Sequence, residues 1–100
     1  MSIAIRQTSK QINEDRWDWE IHLDGEQKDL SEIDYVEYTL HQSFPNPIRR
    51  VYNHHSGFKL ETNGWGTFPV YLTVKYKNKK EIRDTLELDF AKDIKKELPA

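Results

Sequence analysis

Two short segments of this chain set an aromatic side chain beside turn-forming residues. Residues 40–47 read Leu-His-Gln-Ser-Phe-Pro-Asn-Pro and hold His41 and Ser43 next to Phe44. Residues 64–68 read Gly-Trp-Gly-Thr-Phe, with Trp65 between two glycines. A ring at a turn is typical of the wall of a surface cleft, and the first segment adds two hydrogen-bonding side chains to its ring. These residue types indicate a binding cleft.

Catalytic and metal sites have little support in the sequence. A Ser43 nucleophile with His41 as its base would need the two side chains to meet, and no carboxylate that could orient the histidine is evident. His54 and His55 would point to opposite faces of a strand, which makes a poor chelate. The chain has no glycine-rich phosphate loop and no cysteine. We therefore expect a protein that is not an enzyme and binds no metal and no cofactor.

The segments around the two motifs alternate between apolar and polar residues, the pattern of strands with one buried face. Residues 17–23 are apolar at the odd positions, and residues 33–40 repeat the pattern with Val36, Tyr38 and Leu40 on one side. Residues 68–76 form the longest alternating run and predict a central strand. Residues 82–90 complete this series.

The rest of the chain predicts turns and short strands. Pro45 and Pro47 make residues 44–47 a loop, and Asn63–Gly64 indicates a turn. Further turns are predicted at residues 24–25 and 77–80, short strands at 48–52 and 57–62, and an edge strand at 3–12. Residues 91–98 contain good helix formers but are too few for a stable helix. We predict an all-β, immunoglobulin-like β-sandwich of seven or eight antiparallel strands over residues 1–92, followed by a tail over residues 93–100.

Length and composition limit the classes of function. One hundred residues suffice for one domain, and hydrophobic residues make up 36% of them. The 15 basic and 17 acidic residues give a net charge of −2, without the basic excess of a general nucleic-acid binder. No apolar run approaches the roughly 20 residues that cross a bilayer. We expect an intracellular, cytoplasmic protein with no nucleic-acid or membrane partner.

The two motifs, in this order and at this spacing, resemble the two ligand loops of the YEATS domain family. The resemblance also covers the strand of Trp19, residues 36–41 and residues 47–51. The small form of this chain is closer to the prokaryotic members than to the chromatin-associated eukaryotic ones. The resemblance implies a binding module that recognises a lysine carrying an acetyl, crotonyl or similar acyl group on a partner peptide or protein.

Specific residue roles follow from the resemblance alone. Phe44 and Trp65 would form two walls, and the flat acyl amide would lie between them. Ser43 would hydrogen-bond the amide through its hydroxyl, with His41 orienting it, and the backbone N–H of Trp65 would donate to the acyl carbonyl. Gly66 would allow the backbone and the ligand to approach closely. Many members add a third aromatic ring from the loop before the first core strand. Here residues 13–16 of that loop read Asn-Glu-Asp-Arg, so only Trp17 could supply the ring.

Structural interpretations of the same residues stay open. Phe44 could plug the end of the sandwich, and Trp65 could be a core ring. Ser43 could serve the backbone of its turn, and His41 could be structural. The alternative function is a YEATS-fold interaction or signalling domain that binds no acyl-lysine and assembles through a sheet edge. The sequence predicts no oligomeric state.

Overall fold

Eight strands and two antiparallel sheets account for most of the chain in a computed structural model that describes residues 3–64, 68–87 and 94–98. The strands are β1 (Ala4–Asn13), β2 (Arg16–Asp24), β3 (Ile33–Thr39), β4 (Ile48–Val51), β5 (Leu60–Gly64), β6 (Pro69–Tyr76), β7 (Glu81–Glu87) and β8 (Ile94–Glu97). The predicted all-β sandwich is confirmed.

Helical structure is limited to two single turns in the described part of the chain, α1 (Gln27–Leu30) and a 3-10 turn at His54–Ser56. No helix of these residues has the length and apolar character that crossing a membrane requires.

The first sheet has the strand order β5-β2-β1-β8, and the second has the order β4-β3-β6-β7. Strand β6 lies between β3 and β7, as its long alternating pattern predicts. Strand β1 is not the edge strand that the sequence analysis expects. It lies inside its sheet because β2 pairs along one side and β8 along the other.

The core consists of the side chains that alternate toward the space between the sheets. Trp19 and Ile21 of β2 face Val36 and Tyr38 of β3 across this space, and all four are buried. In β3 the pairing with β6 shifts between residues 33 and 35, so that one extra residue enters the strand. This bulge brings Ile33 to the buried side despite its odd position.

Strand β8 lies where the sequence analysis places a tail. Ile94–Glu97 pairs antiparallel with β1, and the backbone N–H of Leu98 donates to the carbonyl of Ile3 at 2.9 Å. Leu98 is buried in the core. Residues 94–98 therefore belong to the sandwich, because the pairing and the buried leucine outweigh the helical preference of so short a segment.

The turns predicted from local composition have different outcomes. Residues 77–80 form the turn between β6 and β7, and the chain bends at Gly25 after β2. The turn expected at Asn63–Gly64 is wrong at this position, since Asn63 pairs with Asp18 and Gly64 with Trp17 as the last residues of β5. Pairing with β2 keeps the two residues extended.

Candidate ligand-binding site

The loop of residues 40–47 connects two paired strands. Thr39 at the end of β3 lies opposite Ile48 at the start of β4. The backbone N–H of Leu40 donates to the carbonyl of Pro47 at 2.7 Å, which closes the base of the loop. Inside it, the N–H of Phe44 donates to the carbonyl of His41 at 3.0 Å. The loop has a defined shape because its own backbone bonds hold it.

The structure brings His41 and Ser43 together at the tip of this loop. The His41 Nδ1 atom lies 2.8 Å from Ser43 Oγ and 3.2 Å from the Ser43 backbone nitrogen. A backbone N–H can only donate, so the neutral His41 ring that accepts this bond presents the Nδ1 lone pair and carries its hydrogen on Nε2. The Ser43 hydroxyl then donates its hydrogen to Nδ1. The Ser43 oxygen then keeps its lone pairs for a donor from elsewhere.

The Phe44 ring is partly buried and packs on the core. Its centroid lies 5.2 Å from that of Phe68 and 6.2 Å from that of Trp19, and Trp19 and Phe68 are 5.9 Å apart. Tilted and edge-on contacts at these distances are favourable for aromatic pairs. The Phe44 ring thus makes the core contacts expected if it plugs the end of the sandwich, and the rest of its surface is accessible.

Arg49 joins the loop to strand β4. Its guanidinium donates from Nε to the carbonyl of Asn46 and from Nη2 to the carbonyl of Pro45, both at 3.0 Å. Asn46 has φ 49°, a left-handed conformation that asparagine tolerates better than most residues. Sequence reasoning did not find Arg49, because its inward position follows from pairing with the buried Tyr38 and not from local composition.

The second motif lies at the end of β5. Trp65 and Gly66 lie outside the described residues, so the separation of the Phe44 and Trp65 rings is a prediction of the sequence analysis. Pairing of Gly64 with Trp17 carries β5 to the residue before them. Trp17 is partly buried and packs against the core on the same side of β2 as Trp19.

The adjacent histidines differ from their expected arrangement. His54 and His55 lie on a 3-10 turn rather than a strand, so their rings are 4.1 Å apart and not on opposite faces. Desolvation, with the nearby His55 and Lys77, lowers the pKa of His54. No group of three or more His, Cys, Asp or Glu side chains that could hold a metal ion occurs within residues 3–64, 68–87 and 94–98.

A model of the prokaryotic YEATS domain family matches residues 17–90, which include both motifs. The chain belongs to this family. The resemblance seen in the sequence is thereby confirmed, and the matched region runs from β2 past the end of β7.

Solved YEATS domains have the same fold. A structure of the Yaf9 YEATS domain recognising an H3K122suc peptide superposes with a TM-score of 0.81 at 25% identity, over 97% of this chain and 80% of that one. The Yaf9 YEATS domain bound to H3K27ac gives 0.78 at 25% identity, over 97% and 81%. These neighbours confirm the immunoglobulin-like sandwich.

A curated relative is transcription initiation factor TFIID subunit 14 of Schizosaccharomyces pombe. It is 34% identical over 67 residues, which are 62% of this chain and 27% of that protein. This chain therefore spans about a quarter of the length of that relative.

Proposed function

We propose that this YEATS domain is a non-catalytic binding module that recognises an acylated lysine side chain of a partner protein. The observation that supports the proposal is the Ser43–His41 pair, whose 2.8 Å contact leaves the serine oxygen free to accept a hydrogen bond one residue before Phe44. The two Yaf9 neighbours, solved with H3K122suc and H3K27ac, are similar domains that take acylated peptides.

The proposed slot satisfies both polar groups of the acyl amide. The amide N–H would donate to Ser43 Oγ, and the acyl carbonyl would accept from the backbone N–H of Trp65. An amide enclosed between rings loses about 1–3 kcal/mol for each polar group without a partner. Phe44 would stack on one face of the flat amide and Trp65 on the other, with Gly66 allowing a close approach.

Selectivity would follow from charge. Acylation removes the positive charge of the lysine amine, and a slot lined by rings and one hydroxyl offers a cation no counter-charge. Moving an unpaired ammonium group into such a slot is unfavourable, so the unmodified side chain is rejected. The module performs no bond-breaking step, since Ser43 acts as an acceptor and not as a nucleophile.

The direct test is an NMR titration with acetyl-lysine and crotonyl-lysine peptides and with the same peptide unmodified. For so small a contact we expect dissociation constants of roughly tens to hundreds of micromolar for the acylated forms. Ser43→Ala removes the acceptor and should weaken binding about tenfold. Trp65→Ala should abolish it.

Ser31 provides a matched control for the serine substitution. Its hydroxyl donates to the carbonyl of Lys28 at 2.8 Å in the turn of α1. Ser31→Ala should leave peptide binding unchanged. Acylated peptides that cause no shifts in folded protein, or that bind Ser43→Ala as well as the original, would contradict the proposal and favour an interaction domain without an acyl-lysine slot.

A further inference from the structure

Exposed apolar side chains concentrate on the outer surface of the second sheet. Among the described residues, four large hydrophobic side chains expose at least half of their surface: Ile48 (60%), Tyr52 (59%), Tyr71 (54%) and Ile12 (50%). Ile48 and Tyr71 lie on strands of the second sheet and Tyr52 directly follows β4, whereas Ile12 lies on β1 of the first sheet. A concentration of this kind on one face marks an interaction surface more often than scattered exposure does.

The register aligns these residues in rows across the strands. Thr39 of β3 pairs with Ile48 of β4 and with Tyr71 of β6, so the three side chains stand next to each other. At the other end of β3, the Tyr35 and Tyr52 rings are 5.7 Å apart. We call the outward side chains of β4, β3, β6 and β7, from the Thr39 row to the Tyr35 row, the outer face of the second sheet.

The charged side chains of this face are paired with each other. Glu37 accepts from the Arg50 guanidinium at 3.0 Å, and Glu81 contacts both Lys75 at 3.9 Å and Arg83 at 3.0 Å. Three basic and two acidic groups leave a net charge of +1. Covering the face would therefore leave no charge without a partner, which is the main cost of burying charged surface.

The middle of the face carries residue types common at binding hot spots. The Arg50 guanidinium lies 4.3 Å from the centroid of the Tyr35 ring, a cation–π contact. Hydrogen bonds to Tyr52 and then to Glu37 raise the pKa of Arg50. Tyrosine and arginine held in place in this way lose little conformational entropy when a partner binds.

We propose that the outer face of the second sheet binds the same face of a second copy of this chain, forming a weak symmetric dimer. A two-fold interface requires a surface that complements itself. A face with internal ion pairs, a net charge of only +1 and interspersed tyrosine, isoleucine and threonine meets this requirement, because the repulsion between one net charge on each copy is small. Two such faces would stack as sheets do, about 10 Å apart.

The size of the face sets the strength of the dimer. Strands β3, β4, β6 and β7 have seven, four, eight and seven residues. At about 3.3 Å per residue and about 4.8 Å between strands, they give a footprint of roughly 400 Å². Stable complexes bury about 800 Å² on each partner. Because the face is smaller than this, we expect a dissociation constant of roughly tens to hundreds of micromolar and a dimer that dissociates on dilution.

Sedimentation velocity of the full chain from 10 µM to 1 mM tests the proposal. The mass should rise from 12.0 kDa toward twice that value over this range. Amide shifts measured by NMR over the same dilution series should change at residues 35–39, 48–52 and 71–75. Ile48→Glu combined with Tyr71→Glu should weaken the dimer at least tenfold, because it places a carboxylate against its own copy.

Ile12→Glu is the matched control, since it puts the same charge on an equally exposed isoleucine of the first sheet. It should leave the dimer unchanged. The dilution shifts of the unsubstituted chain decide the matter even if a variant unfolds. A protein that is monomeric up to 1 mM, or whose concentration-dependent shifts lie on β1 and β2, would overturn the proposal.

Discussion

The Nδ1 atom of His41 shows how one acceptor can define the role of a neighbouring side chain. It receives the Ser43 backbone N–H at 3.2 Å and lies 2.8 Å from the Ser43 hydroxyl. The backbone bond selects the tautomer whose Nδ1 accepts, and this tautomer in turn directs the hydroxyl hydrogen toward the ring. A serine hydroxyl can donate and accept, but in this loop its hydrogen is directed to His41, and the acceptor that remains is the one that we propose a ligand uses.

Tyr38 supports the fold at the same scale. Its hydroxyl donates to the Phe58 carbonyl at 2.6 Å inside the core, and burial, with the charge of Glu20, raises its pKa. An unfolded tyrosine loses its proton near pH 10, while the native one keeps it to higher pH. Above pH 10 the unfolded tyrosine loses its proton while the native one keeps it, so rising pH favours unfolding. The stabilisation from protonated Tyr38 is therefore complete below pH 10 and is lost as the pH rises above that value.

Tyr38→Phe should therefore have two effects. It should lower the free energy of unfolding at pH 7 by about 1–2 kcal/mol, because the Phe58 carbonyl loses its buried partner. It should also flatten the loss of stability between pH 9 and pH 11. Urea unfolding of both proteins across this range measures each effect, with Tyr71→Phe as the exposed control. Parallel pH profiles would contradict this role of Tyr38.

At the scale of single elements, the loop between β3 and β4 is held by its neighbour strand. Arg49 reaches back to the carbonyls of Pro45 and Asn46, while the next residue, Arg50, faces outward to Glu37. Two adjacent arginines thus have unrelated tasks, because alternation along a strand sends them to opposite faces.

Comparing Arg49→Ala with Arg50→Ala tests this division. Both remove one positive charge from the same strand. Loss of Arg49 should shift and broaden the amide signals of Ser43 and Phe44 and weaken acyl-lysine binding about fivefold, since two loop carbonyls lose a charged donor. Loss of Arg50 should leave the loop signals unchanged. Equal perturbation of the loop by both substitutions would show that Arg49 does not position it.

Alternation predicts elements that are buried on one face, and so β2, β3 and β6 follow directly from the sequence. It does not predict partners in space. The loop of residues 40–47 was recognisable from its two prolines, but the His41–Ser43 bond and the reach of Arg49 depend on where the backbone turns. Likewise, Asn63 lies in a strand and not in a turn because it pairs with Asp18, and no local composition encodes this pairing.

The whole molecule is closed along one side by β8. Lys96 extends from this strand to the second sheet, where its ammonium donates to Asp84 Oδ1 at 3.0 Å and to the Thr85 carbonyl at 2.7 Å. The second bond occupies an acceptor of β7, the seven-residue strand at the edge of its sheet. A lysine that covers an edge in this way hinders strand addition by another chain. Short, charged strands of this kind escape prediction because their composition also suits a helix.

Removal of β8 is the test at this scale. A chain that ends at residue 93 loses the pairing with β1, the Lys96 bridge and the buried Leu98, whose transfer from water alone is worth about 1.5–3 kcal/mol. We expect its free energy of unfolding to fall by at least about 2 kcal/mol relative to a chain that ends at residue 98. Urea unfolding followed by tryptophan fluorescence measures the difference.

Within the longer chain, Leu98→Ala should destabilise the protein and Lys95→Ala, on an exposed position of β8, should not. Equal stability of the two chain lengths would mean that residues 94–98 are a dispensable tail and that the first sheet does not need its outer strand.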